Sequence, residues 1–310
     1  MTRPSSAWTS ALTARTWGAL AVVGLVIAFS LSSTLVKRAE SPGVLLAFWR
    51  LVTVSVVWNV YLRYTGRRVT VQHVRQALVP GVCVGLNLTA FFAGVTHNSV
   101  VNAALIGSLA PFLIVPLGAW FFHERNRPPA LLFALVAFAG VGLVLSSAPP
   151  GGDASIRGNV LAVLAMFLWT GYVVTTRHFR RDMDVATFMA TISPIAALAV
   201  LPLAIAQGDV FGLSGTGWTY MLVLALLIGV AGHGLMVFAQ RTVQIGTIGI
   251  AQVVQPALAV VWAFLLLGEG LRGRQVIGVA IALSGLLAFL VLNQRRFGTP
   301  RREVPAGSTP

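Results

Sequence analysis

Apolar residues fall in long blocks along the whole chain, and short gaps of turn-forming and basic residues separate them. A helix of about 20 such residues crosses a hydrocarbon core of roughly 30 Å. A membrane barrel would need apolar and polar residues in alternation, which these blocks lack. The pattern predicts an all-α integral membrane protein with ten transmembrane helices. They fall at about residues 17–36, 43–62, 77–96, 100–122, 129–145, 158–176, 186–206, 218–240, 245–267 and 275–292. Pro149, Pro150, Gly151 and Gly152 mark the clearest linker between them. The expected organisation is a tail over 1–16, a first unit over 17–146, a linker over 147–157, a second unit over 158–292 and a tail over 293–310.

Polar landmarks within the blocks repeat. Pro111 is followed by Glu124 thirteen residues later, and Pro256 by Glu269 at the same spacing. Both pairs are related by an offset of 145, which also superposes Gly140 on Gly285 and Arg127 on Arg272. Nearer the N-terminus the offset is 140, with Lys37-Arg38 falling on Arg177-His178. These echoes read as one five-helix unit written twice. An odd number of spans per unit turns the halves upside down, giving a 5+5 inverted-topology repeat. Halves related in this way can expose a central site to each side of the membrane in turn.

Composition agrees with a membrane protein: 56% of the 310 residues are hydrophobic and 10% charged, against about 25% charged in soluble domains. The net charge of +14 forms no single patch, so no nucleic-acid partner is expected. With the N-terminus inside, 16 of the 22 Lys and Arg lie in cytoplasmic gaps and tails, and five lie opposite: Lys37, Arg38, Arg157, Arg272 and Arg274. Arg50, within a span, completes the set. This bias predicts both termini in the cytoplasm of a multi-pass plasma (inner) membrane protein. The single cysteine, Cys83, sits in an apolar block and reads as a small core residue.

The chain resembles the drug/metabolite transporter superfamily, as a ten-helix permease with two EamA-type domains. The stretches Pro111 to Glu124 and Pro256 to Glu269 carry the resemblance, with Gly268 before the second acid and His123 where the first copy departs from that pattern. Phe29-Ser30, Leu168-Trp169 and Arg50 match further family features. The resemblance spans about residues 17–292. It implies a central cavity lined by helices 1 to 4 and 6 to 9, with helices 5 and 10 peripheral, and export as the direction of transport. It leaves the substrate open, since the family moves amino acids, sugars, nucleosides, drugs and other metabolites.

Polar groups within spans are costly unless they face a wet cavity or a partner, so each is a candidate site. Arg50 suits a substrate carboxylate or phosphate, or else snorkels outward past Trp49. His233, between Gly232 and Gly234, is a candidate for proton coupling or a packed, hydrogen-bonded imidazole. Asn87 lies at comparable depth by the 145 offset. Asn102, Ser108, Gln252 and Gln255 decorate helices 4 and 9 as substrate contacts or interhelical glue; Gln252 and Gln255, three apart, share a helix face. Trp169 and Tyr172 are positioned for an aromatic wall. Pro111 and Pro256 free carbonyls one turn earlier and predict a symmetric pair of kinks. Glu124 and Glu269 read as surface locks or gate latches, compensated by neighbouring arginines against an unfavourable helix end. Small-residue positions such as Gly278 and Ala282 suit internal packing or a homo-oligomer.

None of the eight acidic residues lies in the middle of a span, which disfavours coupling through a buried carboxylate. The chain holds no P-loop, His-Glu-x-x-His or Gly-x-Ser-x-Gly motif. No enzyme activity, cofactor or metal is expected, and the partners are a small-molecule substrate and membrane lipids. The expected function is an alternating-access transporter, an exporter of an amino-acid-like metabolite or amphipathic compound. The alternatives are a flippase for lipid-linked headgroups and a facilitative uniporter for nucleosides or sugars.

Overall fold

The computed structural model describes residues 6–97, 106–146, 155–180, 183–267 and 272–294. The described residues form ten helical segments. They are α1 (Ser6–Ser30, continued as Ser32–Arg38), α2 (Gly43–Tyr64), α3 (Val71–Thr96), α4 (Ala110–Phe122), α5 (Pro128–Ser146), α6 (Ile156–Phe179), α7 (Val185–Ile205), α8 (Gly215–Ala239), α9 (Ile245–Gln252 and Gln255–Leu267) and α10 (Gly273–Gln294). Eight are long and apolar enough to cross a bilayer, while α4 and α5 are shorter apolar helices. Large apolar side chains such as Leu20, Val60, Leu135, Leu198, Leu226 and Leu287 face outward, as a lipid-exposed surface requires.

Two helices begin earlier than their apolar blocks. α1 starts at Ser6, inside the stretch expected to be a tail. α3 starts at Val71 because Thr70 and His73 form a reciprocal capping box: the Thr70 hydroxyl accepts from the His73 amide, and the His73 ring accepts from the Thr70 amide. The cap extends the helix into an exposed polar turn that hydropathy alone reads as loop. The expected linker over 147–157 lies outside the described residues up to 154, and Ser155 then caps α6 through the Gly158 amide.

The packing pairs obey a twofold rule. α1 packs on α8 as α6 packs on α3, and α2 on α8 as α7 on α3. α2 meets α7, α4 meets α9 and α5 meets α10, each helix against its own equivalent. The α5–α10 contact shows the direction. A methyl group added at Gly140 would stand 2.4 Å from the Ala282 backbone nitrogen, and one at Gly285 would stand 2.6 Å from that of Ala137. Ala137 and Ala282 are themselves equivalent at the offset of 145. Gly278 completes the series against Val144, so numbers rise along one helix as they fall along the other. Equivalent helices crossing antiparallel in this way define a twofold axis across the bundle, and the two units are inverted. The Gly278 and Ala282 face is thus used inside the molecule, against α5.

Backbones this close leave no room for a side chain. Gly140→Val should cost about 1–3 kcal/mol through overpacking and lower the melting temperature in detergent. Gly142 has open space around its Cα, so Gly142→Ala should stabilise the same helix by about 0.4–1 kcal/mol. Paired thermal melts of the two variants check the interface.

Candidate functional site

Both helices that carry the repeated prolines are interrupted at equivalent places. α4 breaks at Ser108-Leu109 and α9 at Val253-Val254, so Pro111 and Pro256 each stand in the first turn of the segment that follows. Proline lacks an amide hydrogen, and that position needs none. The chain tightens at each break, with the Leu109 amide donating to Ile106 and the Val253 amide to Ile250. Both breaks border one cavity: Gly107, Ser108, Pro111, Gln252, Val253, Gln255 and Pro256 line a space of about 170 Å³, while Leu109 points outward.

This cavity also receives residues from α1, α2, α3, α6 and α8, while among the described residues α5 and α10 contribute none; α7, expected in its wall, reaches only a smaller void through Met189, Ile192 and Ser193. Its wall is mainly apolar and aromatic, including Phe29, Leu88, Phe91, Ile114, Met166 and Trp169. Positions 29–33 of α1, 87–95 of α3 and 162–169 of α6 place it in the half of the bundle away from the N-terminal ends of α1 and α3. The floor is a packed layer. There the Tyr172 hydroxyl lies 3.3 Å from Nδ1 of His233, and the imidazole packs against the rings of Phe29 at 4.9 Å and Trp169 at 6.0 Å. Tyr172 is wholly buried and lines a smaller void beneath the main cavity, so it belongs to the floor and not to the wall.

Arg50 is the charged group of the site. It does not snorkel: it is 1% exposed and lines both the cavity and the smaller void. Its guanidinium lies 5.5 Å from the Phe92 ring, and Nε, Nη1 and Nη2 have no hydrogen-bond partner. Trp49, the neighbour it was expected to pass, donates instead to the Val210 carbonyl. Local geometry makes room for the arginine. Residues Leu224–Gly232 of α8 are wound as a π-helix, a form that recurs at functional sites. A methyl group at Gly229 would come within 3.4 Å of Arg50 Nε and 2.4 Å of Val54.

The remaining polar candidates divide. Asn87 lines the cavity but spends its amide on the Ala165 carbonyl at 2.7 Å, tying α3 to α6. Gln252 and Gln255 reach one cavity across a broken helix, not along a continuous face, and the Nε2 of each is buried without a partner. Ser108 sits in the α4 break. Asn102 and Glu269 lie outside the described residues.

Glu124 is not at the surface. It is buried at the N-terminal end of the bundle, beyond α4. His123, with φ of 53°, turns the chain so that the carboxylate leaves the negative end of its own helix. It accepts hydrogen bonds from the Ile245 and Gly246 amides at 3.1 and 3.2 Å, at the start of α9. Arg177 of α6 lies 3.8 Å away. The unfavourable helix end is thus exchanged for a favourable one. Burial pushes the Glu124 carboxyl above the usual carboxylate range, opposed by these amides and by Arg177. Beside it, Arg180 is buried over the Phe188 ring at 6.0 Å, and burial followed by the neighbouring Arg241 lowers it to about 10.

Several features had no prior signal. The π-helix, the Phe29–His233 contact and the pairing of Glu124 with amides 121 residues away all arise from tertiary packing. The family resemblance had drawn attention to Phe29-Ser30, and Ser30 accepts a 2.7 Å hydrogen bond from the Trp262 indole.

An inverted pair of five-helix units enclosing an internal cavity defines a multi-pass membrane transporter. The EamA-like transporter family matches residues 16–146 and again 156–291; the chain belongs to that family. It is 22% identical over 201 residues to a riboflavin transporter of Brucella anthropi, covering 63% of this chain and 70% of that one. It is 23% identical to the pseudopaline exporter CntI of Pseudomonas aeruginosa, over 60% and 66% of the two chains. It is 27% identical to the threonine/homoserine exporter RhtA of Salmonella typhimurium, over 54% and 57%. A solved crystal structure with 20% identity shares the fold, with a TM-score of 0.74 over 90% of this chain and 98% of that one.

Arg50 has no hydrogen bond to lose, only its contact with the Phe92 ring, worth about 0.5–2 kcal/mol, and its burial carries a desolvation cost of several kcal/mol. Arg50→Met should therefore leave the melting temperature in detergent unchanged or raise it, while abolishing substrate-induced stabilisation. A fall in melting temperature would assign Arg50 a bond within the protein.

Proposed function

We propose that the protein exports a small, amino-acid-like metabolite from the cytoplasm by alternating access around the cavity beneath Arg50. The single observation that carries this reading is the guanidinium without a hydrogen-bond partner in the lining of the cavity. A substrate carboxylate meets its planar fork in bidentate geometry, while Phe29, Phe91 and Trp169 receive the apolar body. Gln252, Gln255 and Ser108 are the accompanying polar contacts, and Pro111 and Pro256 mark the pivots. The exporter names of relatives such as CntI and RhtA support the direction.

The distribution of Lys and Arg supports a cytoplasmic N-terminal end, in the plasma membrane. On that orientation the cavity sits in the outer half and the cytoplasmic end is closed, so the conformation is outward-facing. Glu124 is the latch, holding the start of α9 and Arg177 to the end of α4. No catalytic role is assigned to any residue.

Proteoliposome counterflow with radiolabelled amino acids, N-acyl amino acids, nucleosides and dyes tests transport. Exchange of at least one carboxylate-bearing solute, lost in Arg50→Met, is the expected result. Phospholipid scrambling without solute exchange would favour a flippase instead. The latch has its own readout. In a Cys83→Ser background carrying Ile248→Cys, Glu124→Gln should raise cytoplasmic maleimide labelling about thirtyfold, as two neutral hydrogen bonds replace charge-assisted ones at a loss of roughly 1 kcal/mol each. Unchanged labelling would remove Glu124 from the gate.

A further inference from the structure

Resting on that reading, we infer that the substrate is a net anion and that the membrane potential, with no coupled ion, drives its export. The inference starts from the sign of the groups around the cavity. Arg50 is charged at every physiological pH, and its three nitrogens lack acceptors. The buried Nε2 atoms of Gln252 and Gln255 are also donors without acceptors. Among the described residues, no Asp or Glu lines either void, and none of the chain's eight acids lies mid-span. The cavity therefore offers a full positive charge and unsatisfied donors, and no carboxylate to hold an ammonium group. A carboxylate ligand completes it; a cation is repelled, and a zwitterion leaves its ammonium without a charged partner.

The same sign continues toward the cytoplasmic end. Arg180 lies there, 7% exposed, with Nη1 unpartnered, and Arg241 and Arg177 are close enough to disfavour its charge. The described acids near it are committed: Glu124 to the α9 amides and to Arg177, and Asp184, which favours the Arg180 charge, to Arg67, the Ala186 and Thr187 amides and the Thr187 hydroxyl.

The transport cycle follows from charge balance. With an anion on Arg50 the site is neutral, so the loaded carrier changes conformation without moving net charge. The empty carrier returns with the Arg50 charge exposed to the field, and an inside-negative potential favours that inward return. One cycle exports one negative charge. A potential of 100 mV then supports about 50-fold outward accumulation of a monoanion.

Three solutes sharing one body separate the charge classes: N-acetyl-L-phenylalanine, an anion; L-phenylalanine, a zwitterion; and L-phenylalaninamide, a cation. Each is tested with the wider solute panel in proteoliposomes whose potential is set by potassium and valinomycin. Among solutes that move, anions should accumulate toward the positive side, by up to about 50-fold at 100 mV. Exchange of labelled for unlabelled anion should ignore the potential, since both limbs carry the loaded, neutral site. Arg50→Met should abolish accumulation while its melting curve reports a folded protein.

Movement of zwitterions or cations in preference to anions would overturn the charge assignment and leave transport standing. Accumulation driven by a pH gradient at zero potential, or net flux indifferent to potential, would overturn the driving force alone. A panel in which nothing moves overturns the transport reading itself.

Discussion

A backbone amide or carbonyl left bare in hydrocarbon costs several kcal/mol, and this constraint shapes the whole molecule. Every apolar block must close its hydrogen bonds within itself, so each becomes a helix. Irregular backbone is tolerated only where protein or a wet cavity covers it. The chain places its equivalent breaks, at Ser108-Leu109 and Val253-Val254, on the same internal cavity. The π-helix of α8 is a third departure, and it too contributes to that cavity through Ile228. The irregular turns are gathered around the cavity, away from a continuous helix wall.

Helix association within lipid gains little from hydrophobicity and depends on close contact. The α5–α10 pair meets this demand through Gly140, Gly278 and Gly285. It forms a peripheral, tightly fitted element that leaves α1 to α4, α6, α8 and α9 to shape the cavity. Around the cavity the packing changes character: aromatic rings and a few amides join the small residues, and Arg50 is left without a protein acceptor. A stability argument alone would eliminate such a group.

The fold was largely legible because hydropathy and the 145 offset are properties of the chain itself. Pro111, Pro256, Gly140 and Gly285 keep their spacing regardless of what they touch. Helix starts were less legible: α1 begins at Ser6, well before its apolar block, and a capping box extends α3 back to Val71. The polar lining of the cavity was legible as a set of residue types: Arg50, Asn87, His233, Gln252 and Gln255 all border it. Their partners were not. Asn87 bonds a carbonyl of α6, and Tyr172 drops into the floor beside His233, because depth and rotation depend on how helices pack.

Glu124 shows what that difference means physically. Read along the chain, it is an acid at the wrong end of a helix, beside arginines that soften the conflict. Read in space, the left-handed turn at His123 carries it to the right end of another helix, in the other repeat. The conflict becomes a contact that exists only while the two halves are together at this end. Separating them leaves two amides and Arg177 without their carboxylate, so the separated state is stable only where water or another anion takes the place of Glu124. The closed end and the cavity are thus governed by one rule: positive groups in a dry interior, each waiting on a negative oxygen.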